Sequence, residues 1–149
     1  MKKLQFKTQI DASSNHVYNT MLAEDTYKQW TAEFNPTSSY EGSWDKGSTI
    51  LFVGLNKEGK KEGMVAKIKE NVPGSYVSIE HIGLLDGDEH VTEGPAVEGW
   101  AGAKENYTFS EESGATTLTV DVDTNEEYIT YFNDTWPKAL NKLKTICES

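Results

Sequence analysis

The sequence of 149 residues predicts one α+β domain in which a curved antiparallel sheet is closed by a long C-terminal helix. Short runs of alternating apolar and polar residues begin the chain and fill its middle, which is the pattern of half-buried strands. Glycines separate these runs at the close spacing typical of hairpin turns. The last quarter of the chain instead carries apolar residues at helical spacing.

The N-terminal elements are predicted to be one strand and two short helices. One face of the strand would hold Leu4, Phe6, Thr8 and Ile10. Ser13 or Ser14 is placed to cap the first helix, and Asp25 is placed to cap a second helix that ends near Trp30. The helices therefore follow the first strand almost at once.

The middle of the chain is predicted to form the rest of a sheet of about six or seven strands, including a hairpin between Gly42 and Gly47. The further strands are Thr49–Val53, Met64–Glu70, Tyr76–Ile82, Glu105–Ser110 and Thr117–Val122. Each has one apolar and one polar face, so we expect a sheet covered on one side, and the short connections favour antiparallel pairing. The exception is the segment from Leu84 to Lys104, which we expect to be a long loop.

The C-terminal helix is predicted to begin at a capping box formed by Thr124 and Glu127. Its apolar stripe consists of Ile129, Phe132, Trp136, Leu140, Leu143 and Cys147. This stripe matches the apolar face of the sheet, so we expect the helix to lie along the concave face. Pro137 lacks an amide proton and predicts a bend in the helix.

Composition excludes several classes of function. The net charge is −10, and all 14 basic residues are lysines. The positively charged surface that nucleic-acid binding requires is therefore not expected. No apolar run is long enough to span a bilayer, and the N-terminus lacks the apolar core of a signal peptide. With Cys147 as the single cysteine, no intramolecular disulfide can form, so we expect a soluble protein of the reducing cytoplasm. We expect it to be either a monomer or a homodimer.

A pocket between helix and sheet is predicted to be lined mainly by aromatic side chains, which suit a mostly apolar small molecule. The predicted lining residues are Trp30, Phe34, Phe52, Met64, Ile79, His81, Trp100, Tyr107, Phe109, Tyr128, Phe132 and Trp136. The alternative is that these side chains simply fill the core. Sequence periodicity does not distinguish the two.

Evidence for catalysis is weak. His81 shares the apolar face of its strand and is the one catalytic candidate, although a satisfied core histidine is the simpler interpretation. Its role depends on a neighbouring acid or tyrosine that sequence does not place. The Asp86 to His90 segment lacks the ligand spacing of a metal site, and no phosphate-binding loop is present, so we expect neither a metal nor a cofactor.

Several features together carry a family resemblance. In the first half they are Ile10-Asp11-Ala12-Ser13 at a strand end, a helix with Val17-Tyr18, Trp30, and the glycines Gly42 and Gly47. In the second half they are Trp100, the strand Glu105–Phe109, and a closing helix with Trp136 and Leu140. The chain resembles the SRPBCC superfamily, which has the START-like, birch-pollen-allergen-like helix-grip fold. Within it, the chain is similar to the branch homologous to the C-terminal domain of the heat-shock-protein-ninety ATPase activator.

The resemblance implies a hydrophobic cavity, and it leaves three functions open because its motifs specify no chemistry. The first is binding of a lipid-like or aromatic molecule in that cavity. The second is a protein-interaction or co-chaperone-like module, in which the acidic segment from Asp86 to Glu98 meets a basic protein partner. The third is a cyclase- or isomerase-like enzyme that uses His81 or Tyr107 as acid or base.

Overall fold

The computed structural model describes every residue from Met1 to Ser149. The eight strands, β1 to β8, are Lys2–Ile10, Ser39–Gly42, Thr49–Leu55, Lys61–Val72, Tyr76–Asp86, Glu89–Val91, Ala103–Glu112 and Ala115–Thr124. The three helices, α1 to α3, are Ser14–Leu22, Glu24–Thr31 and Ile129–Glu148. A short 3-10 turn, Glu126–Tyr128, leads from β8 into α3.

The strands form one antiparallel sheet in the order β1-β8-β7-β5-β4-β3-β2, and β6 adds to β5. The predicted α+β helix-grip architecture is confirmed, with eight strands where about six or seven were expected. The extra strand lies in the segment predicted to be one long loop. There β5 continues to Asp86, turns at Gly87 with a φ of +64°, and returns as β6, so the remaining loop spans only 92–102.

The main core lies between the concave face of the sheet and the three helices. Alternating strand residues supply it, as the register of β7 and β8 illustrates: Tyr107 lies opposite Val120, and Phe109 lies opposite Leu118. A second small cluster of Val53, Val65 and Leu85 is buried apart from the main core. Because Val53 follows the core residue Phe52 along β3, this cluster belongs to the convex face, which is therefore apolar at that place.

The predicted helix cap at Ser13 is confirmed, because its hydroxyl accepts a hydrogen bond from His16 N at 3.2 Å. The caps predicted at Asp25 and Thr124 are wrong. Asp25 lies inside the first turn of α2. Only Ala23 separates α2 from α1, and Ala23 occupies the N-cap position without a side-chain hydrogen bond. Thr124 still belongs to β8, paired with Lys2, and its hydroxyl donates to Asn125 O. No side chain caps α3, so the predicted capping box does not form.

The apolar stripe of α3 is confirmed over its central and C-terminal part, where Trp136, Leu140, Leu143 and Cys147 are buried. The helix runs without interruption through Pro137, whose ring is exposed, and the bend expected there stays a prediction. Neither α3 nor any other helix combines the length and apolar character needed to cross a bilayer.

Candidate functional site

A buried polar cluster lies on the concave face at the junction of β5 and β7. Glu105 alternates with Ala103 and Tyr107 along β7, so its carboxylate points into the core rather than to solvent. His81 of β5 lies opposite Ala103, one diagonal step from Glu105. The Nε2 of His81 is 3.2 Å from Oε1 of Glu105, and the Tyr107 hydroxyl donates to Oε2 of the same carboxylate.

The cluster is shielded from solvent, since the side chains of His81 and Glu105 are 6% and 15% exposed. Burial raises the pKa of Tyr107 well above its usual range, and the negative charge of Glu105 raises it further. The pKa of Tyr27 is raised by the same two causes, burial first. Both tyrosines therefore keep their protons, and Tyr107 serves as a hydrogen-bond donor to the carboxylate.

Three buried ring nitrogens in this region have no hydrogen-bond partner: Nδ1 of His81, Nε1 of Trp44 and Nε1 of Trp136. The imidazole of His81 stacks on Trp100 at 5.8 Å between centroids and meets Phe52 edge-on at 5.9 Å. Buried polar atoms are nearly always satisfied in folded proteins, so unpaired ones mark a place where a further group fits. The two tryptophan nitrogens offer donors only.

Aromatic side chains connect this cluster to the surface. Ring centroids are 6.3 Å apart between Tyr131 and Phe34, 5.0 Å between Phe34 and Trp136, and 6.4 Å between Trp136 and Tyr107. We call these four residues the aromatic series. Its outer member, Tyr131, is 44% exposed, whereas Trp136 and Tyr107 are buried. The series thus runs from solvent to the Glu105 carboxylate.

The outer part of the aromatic series and the loop 92–102 lie at one end of the sheet. β7 begins at Ala103, β8 ends at Thr124, and the two strands pair antiparallel. The loop before β7 and the turn into α3 therefore leave the sheet at the same end of these strands. Phe34 joins this end because Tyr131 donates a hydrogen bond to its carbonyl oxygen at 3.3 Å. We call this region, which comprises Phe34, Tyr131, the loop 92–102 and the turn into α3, the open end.

The predicted lining residues fall into three groups by burial. Trp30, Phe52, Ile79, His81, Tyr107, Phe109 and Trp136 are buried, Phe34, Met64, Trp100 and Phe132 are half-buried, and Tyr128 is exposed. Their rings pack directly on one another, so in this conformation side chains occupy much of the interior. Their role in binding stays a prediction.

The residue that sequence reasoning missed is Glu105, and the signal for it was present. It has the same strand parity as Tyr107 and Phe109, which were predicted to face inward. The charge of Glu105 argued against an inward direction, because glutamate side chains are usually exposed to solvent. Tyr27, Tyr40 and Trp44 were also missed; their rings contact one another and Tyr27 also contacts Phe52.

Two surface features lie outside this cluster. A groove of about 370 Å³ runs between the edge strand β1 and α3, and its lining residues are Gln5, Phe6, Lys7, Thr8, Pro137, Leu140 and Asn141. In the acidic segment, Asp86 forms an ion pair with Lys60 at 2.6 Å. No observation links that segment to a basic partner, which stays a prediction.

Solved structures share the fold of this chain at low sequence identity. The dimeric Aha1 of Colwellia psychrerythraea is 20% identical with a TM-score of 0.73, covering 99% of this chain and 97% of that chain. Protein NE0264 of Nitrosomonas europaea is 14% identical with a TM-score of 0.74, over 97% and 93%. CalU16 of Micromonospora echinospora is 16% identical with a TM-score of 0.66, over 97% and 73%.

No curated protein matches the chain. The sequence model of one family, described as Activator of Hsp90 ATPase homolog 1-like protein, matches residues 11–148. This span includes α1, the aromatic series and the whole of α3, and it confirms the resemblance to the SRPBCC superfamily. The chain therefore belongs to the Activator of Hsp90 ATPase homolog 1-like family.

Proposed function

We propose that the protein binds a small, mostly apolar molecule at the open end of the space between α3 and the sheet. The observation that carries the proposal is the aromatic series, a continuous set of ring contacts from exposed Tyr131 to buried Tyr107. Membership of a family of ligand-binding domains favours the same function. No separate observation favours a docking surface for a protein partner.

The open end suits a ligand because its side chains are large, flat and incompletely buried. Phe132 contacts Tyr128 and Tyr131, and the latter two rings are 48% and 44% exposed. Rotation of such half-exposed rings costs less than opening the packed centre of the core. Burial of roughly 200 Å² of apolar surface against them would contribute about 5 kcal/mol before the cost of association.

The test combines mass spectrometry with dye binding. Native mass spectrometry of freshly purified protein should detect a retained apolar molecule, and the neutral dye Nile red should bind with a saturable rise in fluorescence. Phe132→Ala removes a ring of the open end and should weaken Nile red binding about 10-fold. Tyr76→Ala is the matched control, because Tyr76 is half-buried at the start of β5, away from the open end.

The proposal fails if the wild-type protein shows no saturable Nile red binding. It also fails if Phe132→Ala and Tyr76→Ala change the affinity equally, since the site would then not involve the open end. Thermal melting of both variants separates a local effect on binding from general loss of structure.

A second candidate function is acid–base catalysis in the same space, favoured by the hydrogen bond between Glu105 and His81. A carboxylate that orients an imidazole is the arrangement of many general bases. Deuterium exchange from solvent into 2-tetralone, followed by NMR, tests it with wild-type protein and His81→Gln. Exchange no faster than in buffer would remove this candidate without affecting the binding proposal.

A further inference from the structure

We propose that the site at the open end extends inward past Trp100 to His81 and selects ligands carrying a hydroxyl or N–H group on a flat apolar body, with Nδ1 of His81 as the acceptor. This inference rests on the proposed function and adds the chemical class of the ligand. It depends on one observation that apolar packing does not explain, the unpaired Nδ1 of a side chain that is 6% exposed.

The hydrogen bond to Glu105 determines which nitrogen of His81 carries the proton. Oε1 of Glu105 is an acceptor, so Nε2 of His81 at 3.2 Å must be the donor. The carboxylate is also occupied at Oε2 by the Tyr107 hydroxyl. A second proton at Nδ1 would create a buried N–H without an acceptor, so we assign the neutral Nε2–H form, whose Nδ1 is a lone-pair acceptor.

The surroundings of His81 determine the shape of the group that can reach Nδ1. Its imidazole lies between two aromatic rings, stacked on Trp100 with an interplanar angle of 23° and edge-on to Phe52. A group that reaches Nδ1 therefore packs against flat aromatic surfaces, which favour a flat ring. Trp100 is half-buried and lies near the end of the loop 92–102, so it is the more solvent-exposed of the two rings.

A single donor on the ligand would therefore satisfy an atom that is otherwise buried and unpaired. An isosteric ligand whose hydroxyl is methylated cannot donate, and it would leave Nδ1 unsatisfied while burying similar apolar area. Because an unmet buried partner is the basis of strong discrimination, we expect about a 10-fold preference for the donor-bearing ligand.

The experiment compares 2-naphthol with 2-methoxynaphthalene as competitors of Nile red. Wild-type protein should release the dye at about 10-fold lower concentration of 2-naphthol than of 2-methoxynaphthalene. His81→Gln retains a donor near Nε2 but loses the acceptor at Nδ1, so the preference should fall to nearly 1. His81→Asn places its amide oxygen close to the position of Nδ1, so part of the preference should return.

Two results would overturn the inference while leaving the proposed function intact. In the first, the two naphthalenes compete equally with wild-type protein, and Nδ1 then serves only a bound water. In the second, His81→Gln keeps the full preference, and the ligand then donates to another acceptor. Absence of saturable Nile red binding to wild-type protein would overturn the proposed function and this inference together.

Discussion

Nε2 of His81 lies 3.2 Å from Oε1 of Glu105, a contact that joins β5 to β7 across the concave face of the sheet. The same carboxylate accepts the hydroxyl proton of Tyr107 through its other oxygen. One largely shielded acid therefore accepts hydrogen bonds from two donors on two strands. Loss of the acid leaves both donors unsatisfied, whereas loss of either donor leaves the other in place.

Glu105→Leu should lower the free energy of unfolding by about 3 kcal/mol, because two buried donors lose their acceptor. Glu105→Gln retains an acceptor oxygen and should cost roughly 1 kcal/mol. Glu80→Gln is the matched control: Glu80 pairs with Lys104 at 3.3 Å on a partly exposed part of the sheet, and such pairs contribute less than about 1 kcal/mol. Urea unfolding measures all three, and equal losses for Glu105→Leu and Glu80→Gln would contradict the role of Glu105.

Tyr107→Phe should reduce the loss of stability at alkaline pH. Below a pH of about 10, the usual pKa of tyrosine, the phenol is protonated in both the folded and unfolded states. Above it, the unfolded chain releases the proton while folded Tyr107 retains it, because burial and then the charge of Glu105 raise its pKa. The free energy of unfolding then falls by about 1.4 kcal/mol per pH unit for this group.

Urea unfolding between pH 9 and 11.5 measures that slope, and Tyr107→Phe should remove about 1.4 kcal/mol per pH unit from it above a pH of about 11, where the unfolded phenol is almost fully ionised. Tyr128→Phe is the control, since this ring is 48% exposed at the surface. An unchanged slope in Tyr107→Phe would mean that the phenol ionises in the folded state as readily as in the unfolded state.

Gly63→Ala should destabilise the sheet by about 3 kcal/mol or more, because an added methyl group has no space. Its Cβ would lie 1.8 Å from Phe52 O, a backbone atom of the paired strand β3, and the φ of Gly63 is +147°. Gly59 also has a positive φ, +79°, but no atom lies within 4 Å of the Cβ that alanine would add. Gly59→Ala should therefore cost only about 1 kcal/mol. Comparable thermal melting of the two variants would show that the strand can shift.

Asn71→Ala should cost about 2 kcal/mol, because Asn71 makes two hydrogen bonds that connect three parts of the fold. Its Oδ1 accepts from the Tyr18 hydroxyl of α1 at 2.7 Å, and its Nδ2 donates to Trp44 O at 2.8 Å. Tyr18→Phe removes only the first and should cost about half as much. If Asn71→Ala is no worse than Tyr18→Phe in urea unfolding, the bond to Trp44 O contributes nothing.

Local sequence patterns predicted the strands well where one face is buried. Leu118, Val120 and Val122 alternate with polar residues and are buried as expected, because strand periodicity alone determines which face a side chain takes. The caps at Asp25 and Thr124 were wrong for the opposite reason. A cap depends on where the preceding element ends, and neighbouring contacts extend β8 through Thr124 and place Ala23 between two helices.

The spacing of residues along single elements was sufficient to predict the class of fold, the apolar stripe of α3 and the inward direction of His81 and Tyr107. The contact of Glu105 with His81, in contrast, is a property of the folded sheet. That contact depends on the register between β5 and β7, which pairs Ile79 with Glu105 and His81 with Ala103. Register arises from pairing between distant segments, and a pattern within one segment carries no record of it.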